Sequence, residues 1–211
     1  ELIEVDYQPL TSVTNTDDAA KPSAALLYEE LGSNVAWQDQ VAYGDVDAAF
    51  ARADRVVREN LKIHRYSSTP LEPFAIIAEH TPERLNIWCN SQAPEVVYEA
   101  VTEALGIDNV RVIVPDIGGG FGQKMFAGRE ECAVVLASRL LGQPVKWIED
   151  RRENLIAAAH SRNELGKVRL AIDADLVIQA ITIDHIGDVG AYPPCPAVID
   201  VMLLPGPYRI P

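Results

Sequence analysis

Basic residues are scarce in this chain: 18 Lys and Arg stand against 31 Asp and Glu among 211 residues, which gives a formal net charge of −13. Proteins that bind the phosphate backbone of a nucleic acid normally have a basic face. The two densest basic stretches, RVVR at 55–58 and DRR at 150–152, are short and typical of solvated strand or loop faces. We therefore expect no nucleic-acid partner.

Cysteine is also rare, and Cys89, Cys132 and Cys195 lie far apart with no CxxC pair. This spacing excludes a disulfide framework and a zinc or iron–sulfur site built by this chain. Reduced thiols favour a cytoplasmic protein. No apolar run reaches the roughly 20 residues of a membrane span, and no signal peptide is visible, so we expect no membrane partner.

Hydrophobic residues make up 48% of the chain, which is enough for a substantial core. Residues from 14 to about 47 are polar and irregular, which indicates a surface connection, and a short helix is expected around 46–52. Alternating or continuous apolar patterns predict strands at 1–8, 52–65, 74–80, 85–90, 110–114 and 145–150.

Apolar residues recur every three or four positions in two segments, PEVVYEAVTEAL (94–105) and AGREECAVVLASRLLG (127–142), which predicts two helices that end at Gly106 and Gly142. A hairpin is expected to follow, with strands at 166–173 and 177–187 around a turn at Ala174–Asp175. Strands and helices thus occur in mixed order. We predict an α+β fold with a mixed sheet and packed helices.

The segment VRVIVPDIGGGFGQK (110–124) has four glycines around Phe121, between a strand and a helix. A P-loop would need Gly-Lys-Ser/Thr, but Gln123 separates Gly122 from the lysine, and Gln123 also occupies the third glycine position of GxGxxG. Bare backbone N–H groups can approach a flat, polyanionic or oxo-bearing ligand. The alternative is a tight strand–helix turn whose glycines only adopt positive φ.

Gln92 stands in WCNSQAPE, where the strand at 85–90 gives way to the first helix. A neutral amide at this place can donate a hydrogen bond to a ligand oxygen without adding charge. The alternative is that Asn90 or Ser91 caps the helix and that Gln92 is incidental.

Five segments occur in one order: SSTPLEPFAIIAEH, WCNSQAP, RVIVPDIGGGFGQK, PVKWIEDRRENL and DVGAYPP. Together they closely resemble the large, molybdenum-cofactor-binding subunit of the xanthine dehydrogenase and aldehyde oxidase family, nearest to the branch that contains aerobic carbon monoxide dehydrogenase. The similarity covers nearly the whole chain.

The resemblance implies a part of a molybdopterin-binding domain, with molybdenum and molybdopterin, or its cytosine dinucleotide form, as cofactor. Gln92 matches the family's glutamine that hydrogen-bonds an oxo ligand of molybdenum. Gly120, Phe121 and Gly122, with Gly119 beside them, match the loop that packs against metal and pterin. Gln92 and Phe121 are then the residues expected to act in catalysis, and no protein ligand to the metal is expected.

The resemblance also implies the reaction and the partners. Family members oxidise aldehydes, N-heterocycles or carbon monoxide with oxygen from water. Iron–sulfur clusters and FAD are expected on an iron–sulfur subunit and a flavin subunit, in a heterotrimer that dimerises. Met125 replaces an acidic substrate-binding residue of the purine-oxidising branch, which argues against a purine substrate.

The resemblance further divides the chain. Residues 1–13 are expected to be the last strand of a small N-terminal domain, 14–51 a surface linker, and 52–211 a first cofactor-binding domain that is incomplete at its C-terminal end. The family's general-base glutamate and copper-linked cysteine belong to later sequence, so Cys195 receives no role. We expect a fragment that is inactive in isolation. The rival reading is a non-catalytic or degenerate cofactor-binding module of the same fold.

Overall fold

The computed structural model describes residues 3–192 and 206–210. The strands are β1 (Arg55–Tyr66), β2 (Ala75–His80), β3 (Leu85–Cys89), β4 (Val110–Ile113), β5 (Val145–Ile148), β6 (Ser161–Ile172) and β7 (Ile178–Gly187). The helices are α1 (Thr16–Ala19), α2 (Val46–Arg52), α3 (Pro94–Leu105), α4 (Arg129–Leu141) and α5 (Arg151–Ala157). Single 3₁₀ turns occupy Glu29–Leu31 and Gln123–Met125. The fold is therefore α+β, as predicted.

The chain divides into two compact units. The first consists of residues 1–65 and 162–211, and its three-stranded sheet has the order β1-β6-β7. Strands β6 and β7 form the expected antiparallel hairpin, and Asp173 closes its turn by accepting hydrogen bonds from the N–H groups of Asp175 (3.0 Å) and Val177 (2.9 Å). Helix α2 packs against β7.

The second unit consists of residues 66–161 and has a four-stranded sheet with the order β4-β3-β2-β5. Strand β2 is antiparallel to both β3 and β5, and β3 is parallel to β4. Helix α3 makes the crossover that a parallel pair requires. Helix α4 packs on β2, β5 and α3, and the core between helices and sheet is formed by Ile76, Ala78, Leu85, Ile87, Cys89, Val97, Val101, Val134 and Val135.

The two long helices agree with their apolar periodicity, and both end at a left-handed glycine, Gly106 (φ 62°) and Gly142 (φ 63°). The strand expected at 145–150 stops at Ile148, because Asp150 begins a new helix with its capping side chain. The strand expected at 1–8 is wrong for residues 3–8: they form no strand, Ile3 is 82% exposed, and none of the described strands pairs with them.

The domain boundaries expected at 13/14 and 51/52 stay a prediction. The compact units of the fold divide at 65/66 and 161/162, because β1 pairs with the β6–β7 hairpin in one sheet. Cys195 lies outside the described residues. Within residues 3–192 and 206–210, no helix is long and apolar enough to cross a membrane.

Candidate functional site

Gln92 lies between the end of β3 and the start of α3, and its side chain reaches the glycine segment. The side-chain Oε1 accepts hydrogen bonds from the backbone N–H groups of Gly122 (3.0 Å) and Lys124 (3.3 Å). The backbone N–H of Gln92 donates to the carbonyl of Lys124 (2.8 Å). Because both N–H donors face the oxygen, the orientation of the amide is fixed. The Gln92 side chain is exposed, and its Nε2 group donates no hydrogen bond to any residue that the structure describes.

Two of the four glycines make room for side chains of the protein. A Cβ built on Gly118 would lie 2.6 Å from Cβ of Glu72, and one on Gly120 would lie 2.3 Å from Oε1 of Gln92. Gly120 is itself buried. The sequence analysis expected Gly120 to lie against a ligand and gave Gly118 no role of its own; the structure gives both glycines a packing reason within the protein.

The other two glycines serve the backbone. Gly119 (φ 96°) and Gly122 (φ 86°) adopt left-handed conformations that L-residues rarely tolerate. Apart from its chain neighbours, no residue in the described ranges lies within 4 Å of a Cβ built on Gly122, so these residues leave the space beside it open. The glycine segment is thus a tight turn and a bare surface at once, and the two readings of the sequence do not exclude each other.

Phe121 protrudes from this turn. Its backbone is left-handed (φ 51°), its side chain is 75% exposed, and its carbonyl accepts a hydrogen bond from the Ser68 hydroxyl (3.3 Å). A positive φ is uncommon for a bulky residue and persists only where surrounding contacts impose it. The turn therefore presents an exposed aromatic ring next to the open backbone of Gly122.

The residues before Gln92 act differently from the capping role considered for them. The Asn90 amide bridges the N–H of Ala75 (2.9 Å) and the carbonyl of Pro73 (2.9 Å). Ser91 donates to the carbonyl of Lys124 (3.1 Å) and accepts from the N–H of Ala93 (3.0 Å), which is the residue at the cap of α3. Both side chains are buried, so their polar groups require hydrogen-bond partners, and they find them in neighbouring loops.

A further polar network lies behind the turn. Asn154, on α5, donates to Glu149 (2.9 Å) and to Oε1 of Gln123 (3.0 Å), and it accepts from Arg151 (2.8 Å). Arg151 also donates to the carbonyls of Pro70 and Leu71. The Nε2 of Gln123 is buried and has no partner among the described residues. An orphaned donor next to the turn is consistent with an acceptor that another molecule or segment supplies.

The sequence analysis pointed to Gln92 and the glycine turn but missed Glu72, Lys124 and Arg151. These residues make the hydrogen bonds that support the turn and the loop beside it. Asp150 and Glu153 have the spacing of a capping box, D-x-x-E, so that signal could have revealed α5. No local pattern links Glu72 to Lys124, because the two residues are brought together only by the fold.

The groups that the site presents around Gly122 are uncharged: an amide donor, a bare left-handed backbone and an aromatic ring. Such a surface suits a large ligand with acceptor oxygens. Within the described parts of the chain, no group of three or more His, Cys, Asp or Glu could hold a metal ion directly. Burial raises the pKa of the Cys89 thiol to about 11, so this cysteine is no nucleophile at neutral pH.

Proteins of known function have sequences similar to that of this chain. The nicotine 6-hydroxylase large subunit of Paenarthrobacter nicotinovorans is 38% identical over 77% of this chain and 20% of its own length. The carbon monoxide dehydrogenase large chain of Afipia carboxidovorans is 34% identical over 92% of this chain and 26% of its own length. The chain thus spans about a quarter or less of these relatives.

Solved structures show the same fold. Quinoline 2-oxidoreductase from Pseudomonas putida 86 superposes with a TM-score of 0.82 at 35% identity, over 90% of this chain and 24% of that one. Carbon monoxide dehydrogenase from Oligotropha carboxidovorans gives 0.77 at 34% identity, over 87% and 25%. The sequence profile of the molybdopterin cofactor-binding domain matches residues 27–211. The chain therefore belongs to the family of molybdopterin cofactor-binding domains found in the large subunits of molybdenum hydroxylases.

Proposed function

We propose that this chain forms one wall of the cofactor site in the large subunit of a molybdenum hydroxylase. The observation on which this rests is the fixed amide of Gln92: Gly122 and Lys124 occupy its oxygen, and its Nε2 is left as a donor beside open backbone. An acceptor oxygen on a bound cofactor would complete this geometry. Phe121 and residues 119–122 would pack against the same group.

The residues present fit molybdopterin with molybdenum, which would supply the two-electron redox chemistry of the reaction. Gln92 offers a neutral donor, which binds an oxygen atom without changing the charge of the site. The open space beside Gly122 leaves room for a flat ligand, since no described residue other than its chain neighbours lies within 4 Å of its absent Cβ. The cytosine dinucleotide form belongs to the same proposal.

The substrate class that we propose is a small aldehyde, an N-heterocycle or carbon monoxide, with the inserted oxygen drawn from water. Relatives whose names include nicotine and carbon monoxide, and a neighbour named for quinoline, support the last two choices. Met125, 47% exposed, follows Lys124 where an acidic residue would favour a purine.

An iron–sulfur subunit and a flavin subunit are the partners that we propose, in a cytoplasmic complex that dimerises. Relatives named as subunits or chains of larger assemblies support this organisation. The competing proposal is a non-catalytic module of the same fold. It would bind cofactor without turnover, or no cofactor at all.

The test is Gln92→Ala in the complete subunit, purified with its partners, alongside Gln143→Ala as a matched control on an exposed loop. Molybdenum is measured by elemental analysis, and dye reduction is measured with aldehydes, N-heterocycles and carbon monoxide. Loss of one preorganised donor typically lowers turnover about 10²–10³-fold. We expect that loss in Gln92→Ala at unchanged molybdenum content, and none in the control.

Turnover at the wild-type rate in a fully metal-loaded Gln92→Ala complex would refute the role of Gln92. A wild-type complex that contains molybdenum but reduces dye with none of the three substrate classes would favour the non-catalytic module. A wild-type complex that contains no molybdenum would refute the proposed function itself.

A further inference from the structure

Lys124 is a charged residue in the interior of the unit formed by residues 66–161. Its side chain is 2% exposed, and its Nζ lies 2.9 Å from Oε2 of Glu72. An ammonium group is almost never buried this deeply unless a carboxylate or other acceptor compensates for its lost hydration. Glu72 supplies that compensation, and its own side chain remains 40% exposed.

Glu72 also holds the other end of the glycine turn. The same oxygen, Oε2, accepts a hydrogen bond from the N–H of Gly118 (2.8 Å), and the N–H of Glu72 donates to the carbonyl of Gly118 (3.3 Å). The hydrogen bond from Lys124, with that from Gly118, holds the pKa of Glu72 below its usual range, so the carboxylate is ionised at neutral pH. One carboxylate therefore joins residue 118 to residue 124.

Lys124 in turn contacts Gln92 through its backbone. Its N–H donates to Oε1 of Gln92 (3.3 Å), and its carbonyl accepts from the N–H of Gln92 (2.8 Å) and from the hydroxyl of Ser91 (3.1 Å). Lys124 thus supplies one donor and one acceptor to Gln92, and a shift of its backbone would weaken both hydrogen bonds. The orientation of the Gln92 amide thus depends on where the lysine ammonium is anchored.

The geometry points to the Glu72–Lys124 ion pair as the device that presents Nε2 of Gln92 to the ligand. Glu72 and Lys124 are positioning residues: they act through Gln92 and the glycine turn. The inference deepens the proposed function and rests on it for the identity of the ligand. The orientation of Gln92 by the ion pair is a property of the polypeptide and can be measured without any cofactor.

The first experiment measures hydrogen exchange of the backbone amides of residues 118–125 in the complete subunit. The variants are Lys124→Met, which keeps the length of the side chain, and Glu72→Gln, which keeps an acceptor on a partly exposed side chain. Lys146→Met, on an exposed position of β5, is the matched control. We expect exchange at residues 122–124 to rise about tenfold or more in both variants, since hydrogen bonds to charged groups are the stronger ones, with β3 still protected.

Exchange at residues 122–124 that stays as slow as in wild type, in both folded variants, would overturn the inference. Should Lys124→Met fail to fold, Glu72→Gln alone decides, because its uncharged amide occupies the same partly exposed position. In the control, exchange of this segment should stay at the wild-type rate; an equal rise there would also overturn the inference, because it would show that any lost lysine loosens the turn.

The second experiment is a double-mutant cycle on turnover in the purified complex. If Lys124 acts through Gln92, then Gln92→Ala should cost much less in the Lys124→Met background than the 10²–10³-fold expected in wild type. Fully additive losses would show that the ion pair only supports the fold, and would overturn the inference. A wild-type complex without molybdenum would refute the proposed function, while the exchange result would still judge the role of the ion pair.

Discussion

Gly120 lies under the side chain of Gln92, and this contact leaves no room for a methyl group. A Cβ there would be 2.3 Å from Oε1 and 2.4 Å from Cδ of Gln92. The backbone of Gly120 is not left-handed, so an alanine at this position tests the steric contact without the strain of a positive φ. Gln92 is exposed and would move, giving up its bond from the N–H of Gly122.

We therefore expect Gly120→Ala to fold and to lose turnover about as much as Gln92→Ala, roughly 10²-fold or more, measured by dye reduction in the complete complex. Faster exchange of the Gly122 amide should accompany the loss. Gly166→Ala is the matched control, because the nearest atom to a Cβ there is 3.8 Å away, at ordinary contact distance. Wild-type activity in Gly120→Ala would show that the packing of Gln92 on this glycine does not matter for function.

Glu131 is a second residue whose environment leads to a testable prediction, because its carboxyl group is buried. Burial raises the pKa of its carboxyl above the usual value of 4.5, and the negative charges of Glu130 and Glu149 act in the same direction. The N–H of Gly128 donates to the carboxylate (2.7 Å) and offsets part of this effect. Since the folded pKa exceeds the unfolded one, the contribution of Glu131 to stability is most favourable below about pH 4.5 and declines as the pH rises toward the folded pKa.

Glu131→Gln keeps an acceptor for the N–H of Gly128 but has no charge to bury. We expect the variant to lose this decline, so that it is more stable than wild type at neutral pH and gains nothing below pH 4.5. Urea unfolding midpoints between pH 4 and 8 provide the measurement. Glu99→Gln, exposed on α3, controls for the removal of one negative charge. A gain that is equal at every pH would contradict the titration of Glu131 as its cause.

Helix α5 shows how a short element supports the site from outside it. Asp150 accepts a hydrogen bond from the N–H of Glu153 (2.8 Å), and Glu153 accepts one from the N–H of Asp150 (2.7 Å). The first residue of the helix, Arg151, then donates to the carbonyls of Pro70 and Leu71. Pro70 lies beside Gly119, so the cap of α5 fixes the loop against which the glycine turn packs.

Asp150→Ala should lower the free energy of unfolding by about 0.5–2 kcal/mol, because two donors at the helix start lose their acceptor or its alignment. Denaturant unfolding gives the value, and Asp108→Ala, at an exposed loop position, is the control. Asp150→Asn should cost less, since asparagine also caps helices well. Equal stability of Asp150→Ala and wild type would show that α5 is held by its tertiary contacts alone.

Elements with strong periodicity could be predicted from the sequence, and short polar ones could not. Helices α3 and α4 have repeated apolar positions and a terminal glycine, which specify both type and end. Helix α5 has seven residues and no apolar stripe buried in the core, so only its capping box distinguishes it from a strand end. Residues 3–8 show the reverse error: their sequence alternates, but alternation alone does not make a strand without a partner.

The same distinction applies to the site. Gln92 and the glycine turn stand out because their residue types are unusual at the junctions of predicted elements. Glu72 and Lys124 are ordinary charged residues in the sequence, 52 positions apart, and only the packing of two loops makes them an ion pair. Contacts of this kind depend on the whole fold, so periodicity and local motifs contain no trace of them.

At the scale of the whole molecule, the proposed site is one open wall. Phe121 is 75% exposed and Gln92 is exposed as well, whereas ligand sites typically bury about 70–90% of a small molecule's surface. The chain spans 20–27% of the length of three relatives with which it aligns, the nicotine 6-hydroxylase and carbon monoxide dehydrogenase large subunits among them. Under the proposed function, the remaining contacts to the cofactor come from other parts of the subunit.

The 211-residue chain expressed alone should therefore be folded at least in part, free of molybdenum and catalytically silent. The core of the 66–161 unit, with Ile76, Ile87, Val101 and Val135 at 0–1% exposure, is sufficient for a cooperative transition. Thermal unfolding by circular dichroism checks the fold, elemental analysis checks the metal, and dye reduction with the three substrate classes checks the activity. Stoichiometric molybdenum with sustained dye reduction by the isolated chain would contradict this prediction, because a single exposed wall would then suffice to retain and use the cofactor.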